Sequence, residues 1–316
     1  MAVSITNTYN GRAIPIFLQQ LFAKMDVFTK QLVGLHMGIT LKEMIPRTSI
    51  SAATLRHYTL NPTASGTITL GERFLTPVDL IEVISDISPK NVENFWEALG
   101  QARPADPFAV LQVPSLFRQE FIGLLIASVG EALATETWTG VNTGSVGFDG
   151  LITKLDAEGG YEDVSPGSPD PIDATNIIGY LEDVRLQLLD MKALLEKPNL
   201  KILVSKRTAG FVQTAANAIA GKGPTFLEMP GLDSLSYNGI PIVSANGFPD
   251  DRIIATYVGN DIRNTNMHVG MRNISDMENV EFYPQAQPSY GFGMKMAYSM
   301  GTQWAWTNQV VSLKAD

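Results

Sequence analysis

Residues 115–137 read SLFRQEFIGLLIASVGEALATET. Phe117, Phe121, Leu124, Leu125, Ser128, Val129 and Leu133 cluster on one side of a helix with 3.6 residues per turn. Gly123, Ala127, Gly130 and Ala134 form a second stripe of small residues. Small side chains let another backbone approach closely, at about 1 kcal/mol of helix stability per glycine. At ~1.5 Å per residue the helix is ~34 Å long. A rod with two packing faces belongs at the centre of an architecture. Pro114 or Ser115 opens it and Trp138-Thr139-Gly140 closes it. Behind that, Gly147-Phe148-Asp149-Gly150-Leu151-Ile152 forms a glycine-rich turn into an apolar segment, where positive φ favours glycine.

Working outward from this rod, the C-terminal side is a strand pattern. From Phe292 the even positions are Phe292, Met294, Met296, Tyr298, Met300, Thr302, Trp304 and Trp306, while the odd ones are small or polar. Period two puts one face on a core. The run is long for a strand, and Gly301 is a point where it could split. On the N-terminal side, residues 11–36 carry an apolar stripe at helical spacing, from Ile14 through Phe28, Leu32 and Leu35. Residues 48–86 are rich in Thr, Ser, Ile and Leu, with turns at Asn61-Pro62, Ser65-Gly66 and Gly71-Glu72. They read as a long β excursion, with Val78, Leu80 and Ile81 leading into its return strand. An isolated hairpin is marginal in water, so this one needs a surface to lie on. Residues 150–275 read as an α/β lobe: an acidic loop over 156–171, a helix ending at Pro198, the buried strand Leu200 to Val204, a helix from Lys206, and strands at Gly239 to Val243 and Arg252 to Val258.

Composition narrows the function. The 316 residues are 45% hydrophobic and only 17% charged, which suits a chain whose surface is largely covered by copies of itself or by partners. The net charge of −9, with no basic cluster longer than Lys206-Arg207, disfavours tight gripping of phosphate. The absence of cysteine removes disulfides, thiolate metal sites and cysteine nucleophiles. The most apolar run, Phe121 to Gly130, is about half the ~18 residues a membrane span requires.

No catalytic, cofactor or metal motif emerges. His36, His57 and His268 are far apart in sequence and lack ligand-like companions. Gly221-Lys222-Gly223-Pro224-Thr225 fails as a phosphate loop, because Ala216 stands where a glycine is required and Pro224 lacks a backbone donor. Gly144, Gly147 and Gly150 are spaced by threes, which is not a dinucleotide fingerprint. Asp250-Asp251 and Glu182-Asp183 read as turn chemistry and a solvated helix face.

The order of elements, with Trp138-Thr139-Gly140, Gly147 to Ile152, Lys201-Ile202-Leu203-Val204-Ser205 and Tyr237-Asn238-Gly239-Ile240-Pro241-Ile242-Val243, resembles the Hong Kong 97-like fold of tailed-bacteriophage major capsid proteins. The likeness covers nearly the whole chain and rests on order and spacing. It implies an α+β fold with these parts: an N-arm with a helix at 1–47, an extended E-loop hairpin at 48–87, a peripheral domain at 88–149 and 276–316 built on a spine helix at about 115–137 and long β-strands, and an α/β axial domain at 150–275.

The resemblance implies a structural, non-enzymatic protein. Hexamers and pentamers would close into an icosahedral head around double-stranded DNA, contacted non-specifically. Scaffold, portal and cement proteins would be partners, assembly would occur in the host cytoplasm, and no membrane or cofactor would be involved. Arg56, Tyr58, Ile68, Leu70, Arg73 and Phe74 of the E-loop would touch a neighbouring subunit. Phe117, Phe121, Gly123, Leu124, Ala127 and Gly130 would pack the spine helix, and Gly147, Phe148, Asp149 and Gly150 would form the turn into the axial domain. The fold starts by residue 14, so a scaffold domain would be separate, absent or already removed. No lysine lies between Thr48 and Pro89, so the lysine–asparagine weld of some relatives is expected to be missing. An encapsulin shell and a soluble α/β enzyme with its site in the 150–275 lobe are the rival readings.

Overall fold

The computed structural model describes residues 25–50, 68–87, 115–166, 170–219, 235–272, 280–284 and 292–315. The first part runs through a helical turn α1 (Asp26–Thr29) and the strands β1 (Gly34–His36), β2 (Glu43–Ile50), β3 (Ile68–Leu75) and β4 (Val78–Ile87). The long helix α2 (Ser115–Thr139) follows, then α3 (Leu151–Glu158), β5 (Glu162–Asp163), α4 (Ile177–Asp190) and α5 (Lys192–Leu195). Next come β6 (Leu200–Ser205), α6 (Lys206–Ile219), β7 (Leu235–Tyr237), β8 (Ile240–Ala245) and β9 (Arg252–Tyr257). The last strands are β10 (Met267–Gly270), β11 (Val280–Pro284), β12 (Phe292–Trp304) and β13 (Val311–Lys314).

Three sheets result. A body sheet has the order β1-β10-β12-β11, with β4 also paired to β12. A lobe sheet has the order β5-β13-β9-β6-β8-β7, and β2 and β3 form a two-stranded ribbon. Strand β12 is the spine of the body sheet. Its 13 residues span about 43 Å at roughly 3.3 Å each. Met296, Met300 and Trp304 are buried, as the period-two pattern requires. Gly301 does not split the strand. A Cβ there would meet the Thr76 carbonyl oxygen at 2.5 Å, so glycine lets the link between β3 and β4 cross the strand.

The lobe sheet is covered on both sides, and its strands alternate accordingly. Ile202, Val204, Ile242, Ile253 and Ala255 face the core formed with α4 and α6. Leu203, Val243, Ala245 and Ile254 face a second core shared with α2, α3 and β12. The second core includes Leu125, Val129, Leu133, Trp138, Phe148, Met300 and Trp304, so body and lobe are built around common apolar contacts.

Four sequence expectations change. The helix expected over 11–36 ends at Thr29, and its residues before 25 lie outside the described residues. Gln31 takes a positive φ of 53°, and Gly34–His36 then pairs in parallel with β10. The apolar spacing of Phe28, Leu32 and Leu35 is met by a turn and a strand, because Gly34 must come within reach of Thr265. The β excursion expected over 48–87 begins at Glu43 instead, and β4 leaves it to pair with β12 from Val78 to Ile87. The boundary at 275/276 does not coincide with the sheets. β10 belongs to the body sheet, while β13, with Val311 and Leu313 buried, joins the lobe sheet beside β9. Gly150 has φ −71°, so close approach rather than backbone conformation selects glycine there.

Candidate functional site

Two regions carry the residues that the sequence singles out: the root of the β2–β3 ribbon and the C-terminal end of α2.

At the ribbon root the two faces differ. Glu43, Ile45 and Arg47 lie opposite Leu75, Arg73 and Gly71 in the antiparallel register. This face turns inward. Ile45 and Leu75 are buried with Ile39 and Ala305. The Arg73 guanidinium pairs with Glu158 and donates to the Trp304 carbonyl oxygen at 3.2 Å. Arg47 stacks on Trp306, 4.0 Å from the ring centroid, a cation–π contact. Burial, followed by the neighbouring Arg73 charge, lowers the Arg47 pKa. The other face turns outward. Met44 and Phe74 are cross-strand partners that stay 46% and 41% exposed. Lys42 lies over the Phe74 ring at 4.1 Å, and Met37 and Leu41 are exposed nearby in sequence.

The end of α2 is a backbone crossing point. Gly140 N–H donates to the Glu136 carbonyl at 3.0 Å, and Gly150 N–H donates to the Gly140 carbonyl at 2.9 Å. A Cβ on Gly150 would come within 2.5 Å of the Trp138 carbonyl oxygen, and one on Gly140 within 2.5 Å of that of Phe148. Gly147 has φ +72°. The Asp149 carboxylate accepts the Asn142 N–H at 2.9 Å, which closes the loop. Phe148 is buried. The Trp304 indole donates to the Leu151 carbonyl at 2.6 Å, and Thr302 Oγ1 donates to that of Asp149 at 2.7 Å, so β12 is stitched to the turn. Lys154 Nζ reaches the Thr302 carbonyl at 2.5 Å, and burial lowers its pKa against the raising influence of Asp149. The Trp138 indole donates to the Asn246 carbonyl at 3.1 Å and meets Phe248 edge to face.

Placement of the expected residues is mixed. Arg56 and Tyr58 lie outside the described residues, while Ile68 and Leu70 lie on β3 and Phe117 and Phe121 on α2. Arg73, expected at a neighbouring subunit, is engaged within its own chain, while Phe74 points away from the body. Among the described side chains of α2 the buried positions are Leu125, Ile126, Val129, Gly130, Leu133, Ala134, Thr137 and Trp138. Leu124 is 61% exposed, and nothing lies within 4 Å of a Cβ built on Gly123, so among the described residues neither packs on the core. Ala127 is half-buried. At the C-terminal end of the small-residue stripe, Gly247 comes so close to Ala134 that its Cβ would meet the Ala134 carbonyl oxygen at 2.5 Å.

Sequence reasoning missed one cluster. His36 and His268, 232 residues apart, are both buried, with Nε2 of the first 3.0 Å from Nδ1 of the second. Only the parallel pairing of β1 with β10 brings them together, and no local signal announces it. His57 and the Gly221–Thr225 loop lie outside the described residues. Among the described residues, no group of three or more His, Asp or Glu side chains gathers as metal ligands, and no helix is long and apolar enough to cross a membrane.

No family model matches the chain, and no curated protein sequence matches it. Solved structures do. The capsid of an empty GTA particle has a TM-score of 0.54 at 12% identity, covering 92% of this chain and 90% of that one. The satellite phage P4 procapsid, which includes the size determination (Sid) protein, gives 0.50 at 9% identity over 95% and 98%. The holo-SrpI encapsulin complex from Synechococcus elongatus PCC 7942 gives 0.50 at 10% identity over 91% and 86%. The likeness is one of fold: this mixed α+β chain has the architecture of viral capsid and encapsulin shell proteins.

Proposed function

We propose that this chain is the major capsid protein of a tailed bacteriophage, a structural subunit that builds an icosahedral head from hexamers and pentamers. The observation that carries the reading is the match in fold over about nine-tenths of both chains. The surface agrees with it. Met44 and Phe74 at the ribbon root, Ile81 and Val83 on β4, and Leu124 on α2 expose large apolar side chains that a neighbouring copy would cover.

In this reading the β2–β3 ribbon is the root of the E-loop and lies across a neighbour, α2 is the spine helix, and the lobe sheet with α4 and α6 is the axial domain. Arg56, Tyr58, Ile68, Leu70 and Phe74 then serve the contact between subunits, and Arg73 fixes the angle at which the ribbon leaves. Scaffold, portal and cement proteins are the further partners. The packaged double-stranded DNA is held loosely, in keeping with a net charge of −9. The subunit is assembled in the host cytoplasm and resides in the virion capsid. Its work is mechanical, and no residue is assigned a catalytic role.

An encapsulin-type compartment is the second reading, because the encapsulin complex matches as well as the P4 procapsid. Expression of the full chain, alone and with its scaffold, followed by negative-stain microscopy tests both. Closed shells are expected. Nuclease-protected DNA inside native particles supports the phage reading, and enclosed protein supports the compartment. A stable 34.4 kDa monomer at high concentration, with no shells in either preparation, overturns both.

A further inference from the structure

The buried histidines form a titratable cluster that the core packing around them does not explain. They sit where three strands converge on the ribbon root. His36 comes from β1, His268 from β10, and Glu43 is the first residue of β2. His36 Nδ1 lies 2.9 Å from the Glu43 carboxylate, an ion-pair contact without the angle of a hydrogen bond, and its Nε2 faces His268 Nδ1 at 3.0 Å. His268 stands opposite Gln303 of β12, and Gln303 Nε2 donates to the Phe74 carbonyl of β3 at 3.1 Å. Glu43 of β2 thus reaches the β1–β10 pair through His36, and Phe74 of β3 is held separately by Gln303 of β12.

Two imidazole nitrogens 3.0 Å apart share a single proton. One ring donates and the other accepts. With neutral His36 directing Nδ1–H at Glu43, its Nε2 accepts from His268 Nδ1–H, and a further proton on His268 goes to Nε2. His268 Nε2 is buried and makes no hydrogen bond of normal geometry, so a charge placed on this ring is desolvated, an effect the Thr265 backbone offsets only in part. We propose that His36, His268 and Glu43 form a proton-operated catch, which holds the ribbon root against the body sheet while His268 is neutral and releases it when His268 takes a proton. Burial first, and the neighbouring His36 second, push the His268 pKa down to about 3, against a raising hydrogen bond that the ring gives to the Thr265 backbone. Other charged groups near this junction have partners of their own. Arg73 is held by Glu158, Arg272 by Asp79, and Lys42 lies over Phe74. In the loop before β10, the Asp261 carboxylate accepts from Arg263 N–H and Asn264.

The sign follows from linkage. The histidine is neutral in the closed root and takes a proton near its ordinary pKa of 6.5 once open. Opening therefore absorbs a proton, and its equilibrium constant rises about tenfold per pH unit below ~6.5. Hydrogen–deuterium exchange of the full chain at pH 7, 6 and 5, corrected for intrinsic rates, reads this directly. Residues 43–47 and 71–75 are expected to open about tenfold more per unit between pH 6 and 5, while 200–205 in the lobe sheet stay level. In H268Q, checked for native circular dichroism at neutral pH, the root slope falls by about one proton. A wild-type root that ignores pH overturns the catch without needing any variant, as does an unchanged slope in H268Q or an equal response in the lobe.

Discussion

The Gly301 Cα and the Thr76 carbonyl lie so close that a methyl on Gly301 would stand 2.5 Å from the oxygen and 3.0 Å from Pro77 Cα. The contact is backbone against backbone, so no flexible side chain can move aside. Gly301→Ala is expected to cost about 1–3 kcal/mol, the usual range for overpacking. Urea unfolding measures it. An unchanged midpoint would mean that the β3–β4 link retreats without loss.

Gly123 is the opposite case. It sits inside α2 with open space around its missing Cβ. Gly123→Ala should stabilise the dispersed subunit by up to about 1 kcal/mol through helix propensity. If a neighbouring copy packs on this face in the shell, the same change lowers the particle yield. Unfolding of subunits and microscopy of assemblies separate the two effects.

Tyr237, Tyr257 and Tyr298 all have pKa values pushed up to about 12, chiefly by burial, with the Glu182 carboxylate second for Tyr237. A phenol whose pKa rises on folding adds stability that is fully present below its unfolded value near 10 and is lost as pH climbs through 12. The denaturation midpoint is therefore expected to fall between pH 10 and 12, with tyrosinate absorbance rising in step with unfolding. Ionisation near pH 10 in a fully folded chain would contradict this.

Phe74 and Met44 present an apolar outward face at the ribbon root. Phe74→Ser should leave subunit stability nearly unchanged, because the side chain is 41% exposed, and should reduce shell assembly at least several-fold. Light scattering during assembly, set beside the thermal midpoint of the subunit, gives both numbers. Equal assembly would remove this face from the interface.

No lysine occurs between Thr48 and Pro89. Heated particles in SDS are expected to run as single chains, and a ladder of covalent oligomers would show a weld made elsewhere.

The sequence made local patterns visible and hid the distant pairings. The α2 helix was legible from residues 115–137 because 3.6-residue spacing repeats over many turns. Strand β12 was legible because its large side chains fall on even positions, among them the buried Met296, Met300 and Trp304, although Ser299 and Gln303 of the other face are buried as well. The glycines around Phe148 announced a tight crossing but not which backbone crosses. Helical spacing misled at Phe28, Leu32 and Leu35, where a turn and a strand satisfy the same burial. Leu124 looked like core and is not, since an apolar residue one step around a helix lies 100° away. The His36–His268 contact and the entry of β13 into the lobe sheet both depend on partners far along the chain, which spacing cannot reveal.

The entry of β13 between β5 and β9 has a kinetic consequence. A nascent chain that has emerged only as far as β9 holds an unfinished lobe sheet, and β1 cannot find its partner until β10 exists. Closing loops this long is slow, and both sheets reach completion only when residues 292–314 are free. If the chain assembles as proposed, partly synthesised copies would be poor partners for one another, and folding would finish before lattice growth begins.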